Sequence, residues 1–432
     1  MCRGNLFDNA SDDDNEQDQH QDHDPNTDAE GDRHPICKLH YRHVLKCPIY
    51  YPVFQKSKST RRNFDDAAEE PTDLDEDGQP RAVFAHTTQF IPELSLIYSW
   101  GGRNNPSVAF QRYDTKQKKW IRSEGGPSDS SGTMPQESLY YHSLTYVSSN
   151  HSLYIIGGIS DSSSTESAVD MYQYSLKKKQ WNTFAFPTNG KAPETGLYGH
   201  VCVYRTVDDS LVIFGGFTRS WKSDDLFVYN CASGKWKKVK PNNAFHSRAF
   251  STAVYNETND TMIVYAGEIN SDTPELTCEL GIFHFKTLTW EVVEFERWTL
   301  GVNPEPIYGH TLCLLDDRFL LSHGGCAQND RIPRNDCFVF DLVRREWSSC
   351  PELGEQAGCL LCSTLSHEPK SHSLYFFGGN SDQGSISEIV YVSYRFSEGD
   401  FFFMEKLHTA VNSNQLSDIN VYALGNSILD EY

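Results

Sequence analysis

The sequence predicts an all-β fold, a six-bladed β-propeller with a disordered acidic N-terminal region. Three features predict it: a short apolar run that ends in two small residues, an aromatic pair seven residues apart, and an upstream position held by histidine in four cases. Each feature occurs six times, in register, between residues 81 and 407. One such unit cannot bury its own apolar faces, so the units must stack, and a closed ring leaves no long exposed edge.

The small-residue pairs mark the ends of the second strands of the six predicted units. Apolar runs such as LVIF and LYFF precede them, and the pairs recur at intervals of 51 to 58 residues. Glycine adopts dihedral angles that a Cβ atom disfavours, and it lets a neighbouring sheet approach closely. The pairs are Gly101-Gly102, Gly157-Gly158, Gly215-Gly216, Ala266-Gly267, Gly324-Gly325 and Gly378-Gly379.

The aromatic pairs are expected to join the third and fourth strands of each unit and to bury their rings between units. They are Tyr113/Trp120, Tyr174/Trp181, Tyr229/Trp236, Phe283/Trp290, Phe340/Trp347 and Phe396/Phe403. The upstream positions, 14 to 16 residues before the small-residue pairs, hold His86, His142, His200, Phe250, His310 and Cys362. Because the histidines occur once per unit, we expect each to hydrogen-bond a neighbouring blade and not to bind a ligand.

These residues closely resemble the kelch repeat family, whose hallmark is a diglycine after an apolar strand, then a tyrosine, then a tryptophan. Gly157-Gly158, Tyr174 and Trp181 match it well, and the resemblance covers about residues 81–407. It implies a six-bladed propeller that serves as a binding platform. Unit four departs from the pattern at Ala266 and unit six at Phe403. The arginine often found just before the histidine is replaced by Leu139, Leu197 and Ile307, which disfavours a site built on a ring of arginines.

Charge divides the chain further, because the net charge of −21 is unevenly spread. Residues 1–33 hold eleven acids and two bases and are predicted to form a disordered tail. Residues 63–80 read as an acidic linker. Residues 34–62 form a basic His/Cys/aromatic segment, which could pack on the propeller or act as an independent arm. The tail 408–432 contains SDINVYAL, which could close the ring.

No motif for nucleotide binding, serine hydrolysis or zinc proteolysis occurs, so we predict no enzymatic activity, no cofactor and no metal. A propeller enzyme is the alternative of another class. Cys359 and Cys362 are expected to be a buried structural pair and not a redox site. The N-terminal segment holds residue types that zinc accepts, but their spacing matches no zinc family. These residues are His34, Cys37, His40, His43 and Cys47.

Localisation and partner class are predicted from what the sequence lacks. No apolar stretch of about 18 residues and no secretory signal is found, so we expect an intracellular protein, cytoplasmic or nuclear, without a membrane partner. The 12 cysteines are accordingly expected to be reduced. The acidic balance disfavours nucleic acid as a partner.

Loops on a rigid scaffold carry the function of such folds. The loops after the small-residue pairs share one face with the connections between blades, and arginine and tryptophan dominate interface energetics. The predicted partner-binding residues are Arg103, Arg219, Trp221, Arg248, Trp298, Arg331 and Arg334. Tyr141, Tyr198 and Tyr308 are expected to line the central mouth. A protein or peptide with an acidic stretch or a free carboxylate would suit this rim by charge.

The sequence therefore predicts a protein–protein interaction module. By resemblance, one frequent task is substrate recognition for a cullin-type ubiquitin ligase, and subunits of that ligase would then be partners. The sequence shows no helix of the kind that docks a cullin adaptor, which disfavours this task without removing it. The alternatives are a scaffold for signalling, cytoskeletal or trafficking complexes, and a chromatin-associated cofactor.

Overall fold

The computed structural model describes residues 49–56 and 82–396, apart from positions 104, 106, 162–169, 219–220, 270–274, 294–303, 329–331, 351–357, 383 and 388. These residues form six largely antiparallel sheets arranged as the blades of a β-propeller, which confirms the predicted fold class. Among the described residues, no helix is long and apolar enough to cross a membrane.

The first three blades follow one another along the chain, and the four main strands of each lie side by side in chain order. An N-terminal strand, β1 (Ile49–Lys56), precedes them. Blade 1 contains β2 (Thr87–Ile91), β3 (Leu96–Trp100), β4 (Phe110–Asp114) and β5 (Lys119–Glu124). Blade 2 contains β6 (Ser131–Gly132), β7 (Ser143–Val147), β8 (Ser152–Ile156), β9 (Met171–Ser175) and β10 (Gln180–Phe184), with β6 parallel to β10. Blade 3 contains β11 (Val201–Arg205), β12 (Ser210–Phe214), β15 (Leu226–Asn230) and β16 (Lys235–Val239), and a hairpin of β13 (Phe217–Thr218) and β14 (Trp221–Lys222) leaves it.

The last three blades repeat the plan. Blade 4 contains β17 (Arg248–Ala249), β18 (Thr252–Asn256), β19 (Thr261–Ile269), β20 (Glu275–His284) and β21 (Thr289–Val293). Blade 5 contains β23 (Thr311–Leu315), β24 (Phe319–His323), β26 (Cys337–Asp341) and β27 (Glu346–Ser349), with β22 (Ile307–Tyr308) pairing β25 (Cys326–Ala327). Blade 6 contains β28 (Thr364–Glu368), β29 (Ser373–Phe377) and β32 (Ile389–Phe396), with a small hairpin of β30 (Asn380–Ser381) and β31 (Gly384–Ser385). Two single-turn 3₁₀ helices, Thr206–Asp208 and Pro369–Ser371, link first and second strands.

The innermost strands show that the ring is closed. Each of β2, β7, β11, β18, β23 and β28 contacts the next, and β28 contacts β2. The six apolar clusters of the core are shared between neighbouring blades; Phe110 of blade 1, for example, stacks on Trp181 of blade 2 at 5.4 Å between ring centroids. No blade could therefore bury its faces alone, as the repeat pattern predicts.

The small-residue pairs form the joints between blades. In five of the pairs the second glycine donates its N–H to a carbonyl of the next blade at 2.8 Å, as Gly158 does to Leu197 and Gly379 does to Val83. At Gly158 φ is +100°, and a Cβ atom there would lie 2.8 Å from the Cβ of His142. Only glycine combines this backbone conformation with so close an approach.

The repeated histidines bridge blades, which confirms their predicted structural role. His142 Nε2 lies 2.7 Å from Thr87 Oγ1, and His200 Nε2 lies 2.9 Å from Ser143 Oγ, the hydroxyl of the preceding blade in each case. His86 and His310 make the same bond to Thr364 and Thr252. The four rings are buried.

The equivalent positions in blades 4 and 6 are Ser251 and Ser363, one residue after those that the sequence pattern suggested. A Cβ atom on Gly379 would lie 2.8 Å from the Cβ of Ser363, as one on Gly158 would from His142. Phe250 and Cys362 instead precede this position. The shift escaped prediction because serine carries no ring to mark the repeat.

The aromatic pairs are direct cross-strand neighbours in the first five blades. Tyr113 faces Trp120 and Tyr229 faces Trp236 in the registers of their strands. Such neighbours lie about 5 Å apart and pack on each other. Phe403, the expected partner of Phe396 in the sixth unit, lies outside the described residues.

The outer strand of blade 6 is β1, which pairs antiparallel with β32 from Ile49↔Phe396 to Lys56↔Val390. The register shifts between Tyr50 and Val53, where Pro52 lacks a donor. Part of the basic segment 34–62 thus occupies the position expected for a strand at Phe403. The C-terminal tail 408–432, the other candidate for closing the ring, lies outside the described residues.

Side chains also join blades 6 and 1, where the first and last repeats meet. The Lys118 Nζ lies 4.6 Å from the ring centroid of Tyr375 and 4.4 Å from that of Tyr391. Glu368 accepts hydrogen bonds from Tyr375 at 3.1 Å and from Thr115 at 3.2 Å. These contacts join the first and last blades of the ring.

The buried histidines make stability depend on pH. Burial lowers the pKa of His86, His142, His200 and His310 to about 3. Below about pH 6.5 the unfolded chain binds protons at these groups and the folded chain does not, so stability is complete above that pH and falls as pH drops toward 3. Each histidine should cost about 1.4 kcal/mol of unfolding free energy per pH unit over this range. Urea unfolding at several pH values measures how steeply the unfolding free energy changes with pH. His142→Gln should reduce this slope by the contribution of one histidine, about 1.4 kcal/mol per pH unit.

The matched control for this experiment is Thr87→Val, which removes the hydrogen-bond partner of His142 but no titrating group. We expect it to lower stability by about 1–3 kcal/mol and to leave the slope unchanged. A His142→Gln variant with the wild-type slope would contradict the account.

The pairing of β1 predicts a specific cross-link. Val53 lies opposite Ser393, so Val53→Cys with Ser393→Cys should form a disulfide on mild oxidation, detectable by peptide mass spectrometry. Val53→Cys with Val392→Cys is the control, because neighbouring residues of a strand point to opposite faces. Equal cross-linking in the two variants, or none in either, would show that this register is wrong.

Candidate interaction face

One face of the propeller carries the loops that follow the small-residue pairs together with the connections between blades, and we call it the glycine face. In each blade the residue after the pair bonds to the residue two before the histidine position. Tyr140 pairs with Ile159, and Tyr198 pairs with Phe217. Since successive strands are antiparallel, the other turns lie on the opposite face, the turn face. The repeated bridges fix the glycine face around the central axis.

A ring of residues with left-handed backbone conformation surrounds the axis on the glycine face. Its members all have φ between +53° and +65° and precede the histidine positions; they are Ala85, Tyr141, Gly199, Phe250, Gly309 and Cys362. Backbone N–H groups of this ring donate to the preceding member, from Tyr141 to Ala85 at 3.1 Å and from Phe250 to Gly199 at 2.8 Å. Small and larger side chains alternate around it, so the larger ones have room over the axis.

The ring of Phe250 lies among the other aromatic side chains of this region and contacts several of them. Its ring centroid lies 4.9 Å from that of Tyr141, 5.7 Å from Phe217 and 6.3 Å from Tyr308, and it packs over the Cα of Gly199. Phe217 in turn stacks on Tyr198 at 5.0 Å. We call the set the aromatic mouth; it comprises Tyr140, Tyr141, Tyr198, Phe217, Phe250 and Tyr308. All six side chains are half-buried.

The structure thus brings the three predicted mouth tyrosines together through a residue that sequence reasoning assigned to the wrong position. Burial raises the pKa of Tyr141 well above its usual value, and Tyr198 is shifted in the same direction. The phenols are therefore neutral and offer apolar ring surface with a polar tip. Phe250 was detectable only as the aromatic residue that interrupts the series of histidines.

Trp221 stands beside the mouth on the β13–β14 hairpin, where it pairs with Thr218. Its side chain is 63% exposed, which is unusual for tryptophan. The next residue, Lys222, is buried and holds the hairpin to blade 4, because its Nζ lies 2.6 Å from Glu268 Oε1. The hairpin is thereby fixed while its tryptophan faces solvent, as the sequence prediction requires.

Arg248 does not lie on an exposed rim, contrary to the prediction. It is 1% exposed, its guanidinium lies 3.7 Å from the ring centroid of Phe245, and it donates to Glu279 Oε2 at 2.7 Å and to the carbonyl of Ala266 at 3.2 Å. Its backbone carbonyl accepts the hydrogen bond that the N–H of Gly216 donates across the joint between blades. Burial lowers its pKa to about 10, while Glu279 opposes the shift. Arg248 is therefore a structural residue of the joint between blades 3 and 4.

Two other predicted arginines lie on the glycine face. Arg103 is exposed, lies 3.5 Å from Asp161 and 5.8 Å from the ring centroid of Tyr140. Arg334 is half-buried, lies 3.9 Å from Glu305 and lines a small cleft with Ile307 and Phe338. Each of these cations faces a carboxylate. Arg219, Trp298 and Arg331 lie outside the described residues.

The cysteine pair differs from its prediction. Cys359 is exposed and Cys362 is half-buried, and both are free thiols. Burial raises the pKa of Cys362 to about 12, so it is protonated at neutral pH. Within the described ranges, no three His, Cys, Asp or Glu side chains are grouped to hold a metal ion. The His/Cys positions 34–47 lie outside those ranges.

Two sequence families match the chain. The Attractin/LZTR1 beta-propeller matches residues 54–281, more than half of the chain, and the KLHDC2/KLHL20/DRC7 Kelch-repeats domain matches residues 199–398. Together they span residues 54–398, which include the repeat strands of all six blades. Kelch propeller families are typically protein-interaction modules.

Individual relatives are more distant. The chain is 27% identical over 319 residues to the leucine-zipper-like transcriptional regulator 1 homolog of Drosophila melanogaster, covering 69% of this chain and 29% of that protein. It is 27% identical over 274 residues to multiple epidermal growth factor-like domains protein 8 of Mus musculus, covering 61% of this chain and 9% of the other. It is 24% identical over 266 residues to kelch domain-containing protein 10 of Xenopus tropicalis, covering 60% and 61%.

The chain therefore spans less than a third of the length of the first two relatives. Glycine joints, cross-strand aromatic pairs and a closed ring of six blades agree with both family matches. The chain belongs to the Attractin/LZTR1 β-propeller family of kelch-repeat proteins.

Proposed function

We propose that the chain binds a protein partner on its glycine face and that the aromatic mouth and Trp221 form the contact. The observation that carries the proposal is the exposed tryptophan on a fixed hairpin. Tryptophan is strongly enriched among the residues that dominate binding energy at interfaces. A monomer gains nothing from a tryptophan that is 63% exposed, whereas a partner would bury it.

Rigidity supports the same proposal. The Lys222–Glu268 ion pair and the Phe217–Tyr198 stack hold both strands of the hairpin before any partner arrives. A surface that is already ordered loses little conformational entropy on binding, so more of the contact energy appears as affinity. The mouth lies on the closed backbone ring and shares this property.

Three cations on the described part of the face each lie within 4 Å of a carboxylate. Arg103 faces Asp161, Lys222 faces Glu268, and Arg334 faces Glu305. Aromatic and apolar surface is therefore what this part offers, and we propose that the partner contributes apolar side chains there. An acidic partner remains a proposal that depends on Arg219 and Arg331, which lie outside the described residues.

The task for which the partner is bound is a separate proposal. Substrate recognition for a ubiquitin ligase follows from the family resemblance, and a scaffold for signalling, cytoskeletal or trafficking complexes is the alternative. The two differ in what else is held: a ligase receptor also binds ligase subunits at a place that need not be the glycine face. One experiment can separate them.

The experiment is affinity purification of the tagged full-length protein from its own cells with quantitative mass spectrometry, beside Trp221→Ala combined with Ile332→Ser. Ile332 is the other large apolar side chain exposed on the described part of the glycine face, at 54%. We expect the main partner to fall by about tenfold or more. Cullin and adaptor subunits retained at wild-type amounts would identify a ligase receptor, and their absence with one abundant partner would identify a scaffold.

The matched control is Val207→Ser with Val343→Ser, which removes two exposed apolar side chains from the turn face. It should retain the partner, and both variants should keep the wild-type melting temperature. Loss of the partner from the control but not from the Trp221 variant would refute the glycine face as the binding site. Arg248 is unsuitable for this purpose, because removing a buried arginine destabilises the joint.

A further inference from the structure

The outer strand of blade 3 carries a concentration of positive charge on an acidic protein. Four lysines fall within six residues of the sequence GKWKKVK, and all four are exposed. We call this the lysine edge; it comprises Lys235, Lys237, Lys238 and Lys240. The whole chain has a net charge of −21, so the edge differs in sign from its surroundings.

The backbone of this strand is also free on one side. Strand β16 is the last strand of its sheet and pairs only with β15, so its outer N–H and C=O groups have no strand partner among the described residues. In blade 2 the corresponding edge is covered, because β6 lies along β10. A free edge is a template for another strand.

Most of the lysines are not neutralised. Lys238 pairs with Asp225 at 2.7 Å, but none of the described acidic side chains lies within ion-pair distance of Lys235, Lys237 or Lys240. The turn before β10 on the neighbouring blade adds Lys177 and Lys178, which are both exposed. None of the described acidic side chains lies within ion-pair distance of these two lysines either. The two blades pack directly, with the rings of Phe186 and Trp236 5.2 Å apart.

Lysines on edge strands commonly serve to prevent aggregation. That role accounts for one or two charges, as on β5, which carries Lys119 and Arg122. The outer strands β21 and β27 carry no cation and one glutamate each, Glu291 and Glu346. Protection alone thus leaves the number of lysines on β16 unexplained.

We propose that the lysine edge is a second docking surface, which takes an extended acidic segment of a partner protein as an added strand. Lys235 and Lys237 lie on one face of the sheet and Lys238 and Lys240 on the other, because strand residues alternate. An added strand would therefore meet lysines on both of its faces. A partner segment with acidic residues at consecutive positions fits this arrangement better than one with acids only at every second position. Opposite side chains in paired strands lie about 5 Å apart, within reach for ion pairs.

The probe is a fluorescein-labelled peptide of twelve Glu and Asp residues, titrated by anisotropy against the full-length protein at about 0.15 M salt. The Gln/Asn peptide of equal length should not bind. Lys235→Glu, Lys237→Glu and Lys240→Glu together should weaken binding at least tenfold. Hydrogen exchange by mass spectrometry should show slower exchange of the β16 amides when the acidic peptide is bound.

The control has the same change of charge on another blade: Lys116→Glu, Lys119→Glu and Arg122→Glu, all exposed on or beside β5. Its affinity should stay within twofold of wild type. An equal loss in both variants would mean a long-range charge effect, and binding without protection of β16 would mean contact without strand addition. Binding of phosphatidylserine vesicles but not of the peptide would assign the edge to a membrane. Each of these three results overturns the proposal. The Trp221→Ala variant should bind the acidic peptide with the affinity of the wild-type protein.

Discussion

The joint between blades is the constraint on which this structure depends. In five joints the second glycine donates its N–H to the carbonyl three residues before the histidine position of the next blade, each time at 2.8 Å. The glycine takes a φ that other residues rarely adopt, and a Cβ atom at Gly216 would lie 2.7 Å from His200. The blades can approach only because these side chains are missing. The buried histidine bonds and the ring around the axis follow from that spacing.

The same joint explains how one fold carries an individual surface. Backbone geometry repeats from blade to blade, but the side chains that it presents do not. The ring position that is Gly199 in one blade is Phe250 in the next, and this single difference gathers the aromatic mouth. Arg248 shows the opposite case, because it occupies a loop position by sequence and yet is buried by the joint. The scaffold is thus shared, while the binding surface belongs to this chain.

The sequence was sufficient for what repeats. Glycine pairs, aromatic pairs and histidines recur in register, and each, apart from the aromatic pair of the sixth unit, marks a contact between strands or blades that the structure contains. The sequence was insufficient for contacts that occur in only one blade of the ring. The pairing of β1 with β32 joins segments more than 300 residues apart, and no local pattern predicts it. The exposure of Trp221 agrees with its predicted place in a loop after a glycine pair, whereas the burial of Arg248 depends on Phe245 and Glu279.

Native-state hydrogen exchange tests the central claim, that the glycine joints hold six blades as one cooperative ring. The amides to follow are those of the second glycines, Gly102, Gly158, Gly216, Gly325 and Gly379. If the joints act together, all five should exchange only through global unfolding, with one common free energy that falls in parallel with denaturant. Exchange of one joint at a distinctly lower free energy than the others would show that its blade opens alone, and would contradict the account.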